Sequence, residues 1–237
     1  MSETLWWLVQ NLSDVPEGEE WLSEAERRIL AGKRFPKRRN DWRLGRWTAK
    51  RAVRAYLREK APSMESLEIR AVVDGAPEAF RDDSPVDVSL SISHSNDRSL
   101  CAVGPSGIAI GCDLEQIETR EPGLVLDYYT PDEMAFCERA PETAKDAAVN
   151  LIWSAKESAL KVLREGLRRD TRSIRVCPDW PGAGAGWSAW TGFCMESPLV
   201  FRGWWRICEG YVYTLASDHA TSSPKQLLPG DSCHSRV

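Results

Sequence analysis

Apolar residues between Ala148 and Leu163 recur with helical period. Turned about 100° per residue, Ala148, Leu151, Ile152, Ala155, Ala159, Val162 and Leu163 form one stripe. Glu157 and Lys161 fall almost opposite, with Asn150, Trp153 and Ser154 on their side. The pattern therefore predicts a helix with an aliphatic face and a charged, aromatic one. Alternation of period two predicts strands at Leu5 to Val9, Leu67 to Val73, Val88 to Ile92, Ser173 to Cys177, Trp204 to Cys208 and Tyr211 to Ser217. SLCAVG and GIAIGCDLE flank a PSG turn at 105–107 and predict a hairpin. Helices are expected at 23–31 and 40–59, and another opens at TPDE with Pro131 in its first turn. PGAGAG at 181–186 reads as a loop, and residues 218–237, rich in Ser, Pro and Gly, as a loosely held tail.

One stretch is repeated. WTAKRAVRAYL at 47–57 matches WSAKESALKVL at 153–163 in Trp, Ala, Lys and the closing Leu, at an offset of 106 residues. This suggests an α/β (α+β) fold of two similar halves related by a pseudo-twofold axis, divided as 1–104 and 105–217. Where the second copy has Glu157 and Lys161, the first has Arg51 and Ala55. Acidic chemistry then belongs to one half and cationic work to the other.

Composition narrows the class. Of 237 residues, 42% are hydrophobic and 28% charged, as in ordinary globular proteins. No apolar run approaches the ~20 residues of a membrane span, and the N-terminus lacks a signal-peptide pattern. A cytoplasmic protein without membrane contact is expected. Seven scattered cysteines, never spaced CxxC, argue for reduced thiols over zinc or a disulfide framework. The net charge of −4 hides a basic segment: residues 21–60 hold 14 Lys or Arg against 4 Asp or Glu. Such a segment meets an anionic partner: nucleic acid, a phosphorylated small molecule or an acidic protein.

In GIAIGCDLE, strand alternation turns Asp113 and Glu115 the same way, opposite Ile110, Cys112 and Leu114. Two such carboxylates repel unless a cation lies between them or water screens them. Solvated acids at a frayed strand end are the bland alternative; with Glu157 they could instead converge on Mg²⁺. In SLSISHSND, His94 continues the phase of Val88, Leu90 and Ile92. It is either a core histidine or, where the strand ends, a donor to phosphate. Likewise Glu157 and Lys161, four apart, are either an exposed helix pair contributing ~0.2–0.5 kcal/mol or part of a site.

SISHS, GCDLE and WSAKES with Lys161, in this order, resemble the 4′-phosphopantetheinyl transferases. More narrowly, they resemble the long single-chain type acting on carrier proteins of polyketide and nonribosomal peptide synthesis. The resemblance runs from Arg34 to Ala216 and includes RFPKRRNDWRLGRWTAKRAV. It implies two similar halves around a cleft, coenzyme A as co-substrate, Mg²⁺, an apo acyl or peptidyl carrier protein as partner, and a monomer that mimics a dimer. By position, Asp113, Glu115 and Glu157 match the metal carboxylates, with Glu157 and Lys161 in the catalytic role. Lys161 matches the lysine on the substrate phosphates, and Ser93 and His94 match contacts to coenzyme A. Arg28, Lys37 and Arg46 lie in the basic region implied to hold its 3′-phosphate. Gly75-Ala76-Pro77 stands where many relatives carry Gly-Lys-Pro, so one phosphate-binding cation is missing. The main rival is a basic nucleic-acid-binding module without catalysis, which leaves GCDLE and WSAKES unexplained. A glycosidase is weaker still, because Asp113 and Glu115 face one side instead of flanking a bond.

Overall fold

The computed structural model describes residues 3–58, 62–165, 168–180 and 186–227. In chain order the elements are β1 (Glu3–Asn11), α1 (Glu24–Ala31), α2 (Pro36–Leu57), β2 (Leu67–Ala71), β3 (Pro77–Arg81), β4 (Ser84–Pro85), β5 (Val88–Ser95) and β6 (Arg98–Pro105). They continue with β7 (Ile110–Gln116), α3 (Pro122–Tyr128), α4 (Pro131–Arg139), α5 (Lys145–Val162), β8 (Ile174–Pro178), β9 (Ser188–Cys194), β10 (Val200–Cys208), β11 (Tyr211–Ser217) and β12 (Thr221–Gln226).

Three sheets result, ordered β12-β1-β6-β5, β7-β11-β10-β9-β8 and β2-β3-β4. Helix α2 seals the first sheet through Ala49, Ala52 and Val53, which pack with Leu8, Leu90, Cys101 and Val103. Helix α5 seals the second through Leu151, Ile152, Ala155 and Ala159, packed with Ile174, Phe201, Trp205 and Val212. The predicted aliphatic stripe is thus the buried face. Two further expectations need correction. The strands flanking the PSG turn do not form a hairpin: β6 pairs with β1 and β5, whereas β7 pairs with β11. The segment after Asp218 is not loose as far as Gln226, since β12 runs parallel to β1 at the sheet edge. Pro224 sits in that edge strand, where the missing N–H costs no ladder bond to a further neighbour. The PGAGAG loop as far as residue 185 and the tail from 228 lie outside the described residues.

The repeat seen in the sequence reappears as a repeated polar network. Lys50 and Lys156, its matched lysines, are both 0% exposed. Lys156 Nζ lies 2.9 Å from Glu133 and donates to the carbonyls of Thr171 and Ile174. Lys50 pairs with Glu26 and donates to the carbonyls of Trp21 and Met64. Each glutamate closes a capping box, Ser23–Glu26 opening α1 and Thr130–Glu133 opening α4. Each also accepts a strand N–H, from Ile69 in β2 and Val176 in β8. A buried ammonium is tolerated only when paired and fully hydrogen-bonded. In both copies of the repeat one glutamate and two carbonyls meet that demand and tie the long helix to the strand that follows it.

Cys101, Cys112, Cys137, Cys177 and Cys194 are free thiols, as expected. Cys208 is not among them: it is disulfide-bonded. Among the described residues no helix is long and apolar enough to cross a membrane.

Candidate active site

The site forms where β7 lies against α5 on one side and β5 on the other. Gly111 permits the first contact. A Cβ there would stand 1.8 Å from the Ser158 carbonyl oxygen, so any larger residue would push β7 off the helix backbone. Two residues on, Asp113 therefore reaches α5 directly. The Cys112 amide donates to Ser91 Oγ at 3.0 Å and sets the register against β5.

Asp113 is 2% exposed, so it is not a solvated strand end. Its Oδ1 accepts from Ser93 Oγ at 2.7 Å and from Lys161 Nζ at 2.9 Å. Lys161 also donates to the Cys112 carbonyl at 2.9 Å and lies 3.9 Å from Glu157 Oε2. Asp113 Oδ2 is buried and has no hydrogen-bond partner. An orphaned carboxylate oxygen is costly in a low-dielectric interior. It is open to a protonated Glu157, whose carboxyl lies within hydrogen-bond reach of Asp113, or to a cation when both acids are charged.

Glu115 is held from two sides, its Oε2 by Arg120 at 2.6 Å and its Oε1 by the Trp153 indole N–H at 3.2 Å. Arg120 is itself oriented by Asn150, whose Oδ1 accepts at 2.7 Å. Asn150 in turn donates to the carbonyls of Glu118 and Asp146. The tryptophan and asparagine on the charged face of the helix are thus explained: they position an acid on the neighbouring strand. Sequence reasoning missed Arg120, although a lone arginine among Glu115, Glu118 and Glu121 was a usable signal.

Electrostatics mark the acids. Burial, then the charge of Asp113, pushes Glu157 up to about 7, with Lys161 pulling the other way. Glu115 is raised by the same two causes, opposed by Arg120. Burial would lower the Lys161 ammonium, but Asp113, Cys112 and Glu157 outweigh it and the group is raised. Among the described residues no trio of His, Cys, Asp or Glu is already gathered closely enough to hold a metal ion. The reason is visible: Lys161 occupies one oxygen of Asp113, and Arg120 and Trp153 hold Glu115.

Lys161 also lines a cavity of about 1030 Å³. Its other walls are the β2–β3 turn and β3, strand β5 from Val88 to Ile92, the 106–110 turn, and the residues after α5. Ala76 is on this wall, next to Gly75, whose φ of +89° suits glycine.

The nucleotide-binding candidates lie elsewhere. His94 is 54% exposed, so it is not a core histidine, and its Nε2 stands 3.9 Å from Asp41 of α2. Lys37 lies one helical turn before Asp41 and is exposed. Arg46 stacks on Trp42 with its guanidinium carbon 5.0 Å from the ring centroid; burial lowers its pKa, and its Nε has no partner. Arg28 is 76% exposed and paired with Glu24, and no contact among the described residues brings it to His94. The structure therefore joins Ser93, Asp113, Lys161 and Glu157 in one cluster, holds Glu115 apart on Arg120 and Trp153, and sets His94 over α2.

Residues 109–189, which carry GCDLE and WSAKES, match the family model of the 4′-phosphopantetheinyl transferase superfamily. Asp113, Glu115 and Glu157 all lie within the matched residues. No curated protein matches the chain. Among solved structures, a holo-(acyl-carrier-protein) synthase from Bacillus anthracis str. Ames, in complex with CoA (3′,5′-ADP), is 24% identical. That match covers 45% of this chain and 100% of that one, with a TM-score of 0.38. Thermotoga maritima holo-[acyl-carrier-protein] synthase is 18% identical over 55% of this chain and 76% of that one, with a TM-score of 0.36.

Proposed function

We propose that this protein transfers the 4′-phosphopantetheine arm of coenzyme A to a serine hydroxyl of an apo acyl or peptidyl carrier protein, of the kind used in polyketide and nonribosomal peptide synthesis. The carrying observation is the Ser93–Asp113–Lys161 cluster with its orphaned Asp113 Oδ2, set beside Glu157 at the edge of the large cavity. Residues 1–104 then supply the basic surface toward the nucleotide, through His94, Lys37, Arg46 and Arg28, and residues 105–217 supply the acids.

Asp113 and Glu157, with Glu115 behind them, are the residues that would hold Mg²⁺. The donor set fits: it is all oxygen, mutually repelling and short of positive charge on Asp113 Oδ2. A bound magnesium ion would neutralise charge on the diphosphate. Lys161 binds the same diphosphate from the helix side. The serine oxygen forms a bond to the β-phosphorus, and the bond from that phosphorus to the bridging oxygen breaks. Adenosine 3′,5′-bisphosphate leaves with the electron pair. The serine proton passes to Glu157, whose two oxygens allow one to serve the cation and the other to accept the proton. Catalysis rests on positioning and charge neutralisation. The test is mass spectrometry of an apo carrier protein incubated with this chain, coenzyme A and Mg²⁺.

A further inference from the structure

The cavity beside Lys161 carries two more cations, Arg164 and Arg168, which follow α5 and lie on the same wall as Ala76. Their situations differ. Arg164 is committed: its Nε and Nη2 bind Asp74 and its Nη2 binds Glu78 at 2.6 Å, which ties the C-terminal end of α5 to the β2–β3 turn. Arg168 makes no ion pair among the described residues. One of its nitrogens, Nη2, donates to the carbonyls of Asp74 at 3.2 Å and Arg164 at 3.0 Å, which steadies the guanidinium, and among the described residues its other donors make no hydrogen bond.

Lys161 cannot serve an anionic ligand alone, because Asp113 at 2.9 Å and Glu157 at 3.9 Å already draw on its charge. A diphosphate entering this cavity needs a second cation. The mouth offers Ala76 where a longer cationic side chain would fit, and Arg168 beside it. We propose that Arg168 is a second diphosphate-binding residue, gripping the coenzyme A diphosphate from the wall of the cavity that Lys161 and Ala76 also line. This rests on the phosphopantetheinyl-transfer reading, and it adds a ligand contact that the sequence motifs do not contain. Arg164 acts beneath it, holding the Asp74 turn so that its carbonyl keeps Arg168 aimed inward.

The test is isothermal titration of the Mg²⁺-loaded full chain with coenzyme A and with dephospho-coenzyme A, for the wild type, Arg168→Ala, Arg168→Lys and Arg168→Ala/Ala76→Lys. Arg168→Ala should weaken both donors by the same factor, about tenfold for a charge-assisted contact at a part-open site. Arg168→Lys should recover part of the loss, and Ala76→Lys should restore most of it by placing a cation on the same wall. Thermal melting should move little, because Arg168 is exposed, makes no ion pair among the described residues and would lose only two hydrogen bonds to carbonyls at the surface. Unchanged affinity in Arg168→Ala overturns the proposal and leaves the transferase reading standing. A loss confined to coenzyme A assigns Arg168 to the 3′-phosphate and overturns the diphosphate contact. A wild type that binds neither donor overturns the transferase reading itself.

Discussion

Lys161 donates to Asp113 Oδ1 across 2.9 Å while the other oxygen of the same carboxylate, Oδ2, is buried without a partner. One acid is thus half satisfied by the protein and half reserved. Because Asp113 faces the helix and not the apolar cluster of Ile110, Cys112 and Leu114, its charge can be removed without disturbing packing. Asp113→Asn and Glu157→Gln should each lower transfer by roughly a hundredfold or more, with far-ultraviolet circular dichroism unchanged. Near-normal turnover of either variant at saturating Mg²⁺ would refute the assignment of these acids.

Glu157 gives a pH signature. Its folded-state pKa, about 7, is above the ordinary 4.5, so between those values the folded protein binds the proton that the unfolded chain has lost. Stability of the metal-free protein should therefore fall as pH rises from about 4.5 to 7 and then level off with respect to this group. Glu157→Gln should flatten that part of the profile and raise the melting temperature at pH 7.5. A steeper fall in the variant would contradict the raised pKa. Mg²⁺ affinity of the wild type should rise over the same interval, because the ion competes with the proton.

The lysine within WSAKES is structural. Lys156→Met leaves Glu133 buried without its counter-charge, and breaking such a pair costs about 3–5 kcal/mol. Lys50→Met should cost a similar amount through Glu26. Urea denaturation measures both. Folded Lys156→Met should keep an ordinary Michaelis constant for coenzyme A, whereas a large rise without loss of stability would place Lys156 in the site after all.

His94 and Lys37 separate nucleotide binding from the chemistry. His94→Ala and Lys37→Ala should raise the Michaelis constant for coenzyme A more than they lower turnover, and should change little with dephospho-coenzyme A. Steady-state kinetics with both donors reads this directly. It also distinguishes these residues from Arg168, whose loss should affect the two donors alike.

The basic α2 surface should speed encounter with an acidic carrier protein, so kcat/KM should fall several-fold as ionic strength rises through the range where the Debye length shrinks to about 8 Å and below. A salt-independent kcat/KM would remove that role from the 21–60 segment.

What was legible in the sequence was periodic. Helical phase placed Glu157 and Lys161 together, and strand phase turned Asp113 and Glu115 to one side; both relationships hold in the fold. Long-range partners were not legible. Nothing local ties Lys50 to Glu26 and Ile69, or Lys156 to Glu133 and Val176, although the repeated Trp-x-Ala-Lys marked both lysines. The PSG turn resembles a hairpin turn, yet local pattern cannot say that the strands on either side enter different sheets. Residues 221–226 failed as a strand on composition because Ser and Pro disfavour central strands, whereas β12 is an edge. His94 shared the apolar phase of β5 but lies near the strand's end, beyond the cover of α2's apolar residues.

The most direct measurement is the intact mass of an apo carrier protein after incubation with this chain, coenzyme A and Mg²⁺, against a parallel reaction with excess chelator. The account predicts a gain of one phosphopantetheine on the carrier serine, release of adenosine 3′,5′-bisphosphate in equal amount, and no gain with chelator. No mass gain on any of several acyl and peptidyl carriers, with coenzyme A intact, would contradict it.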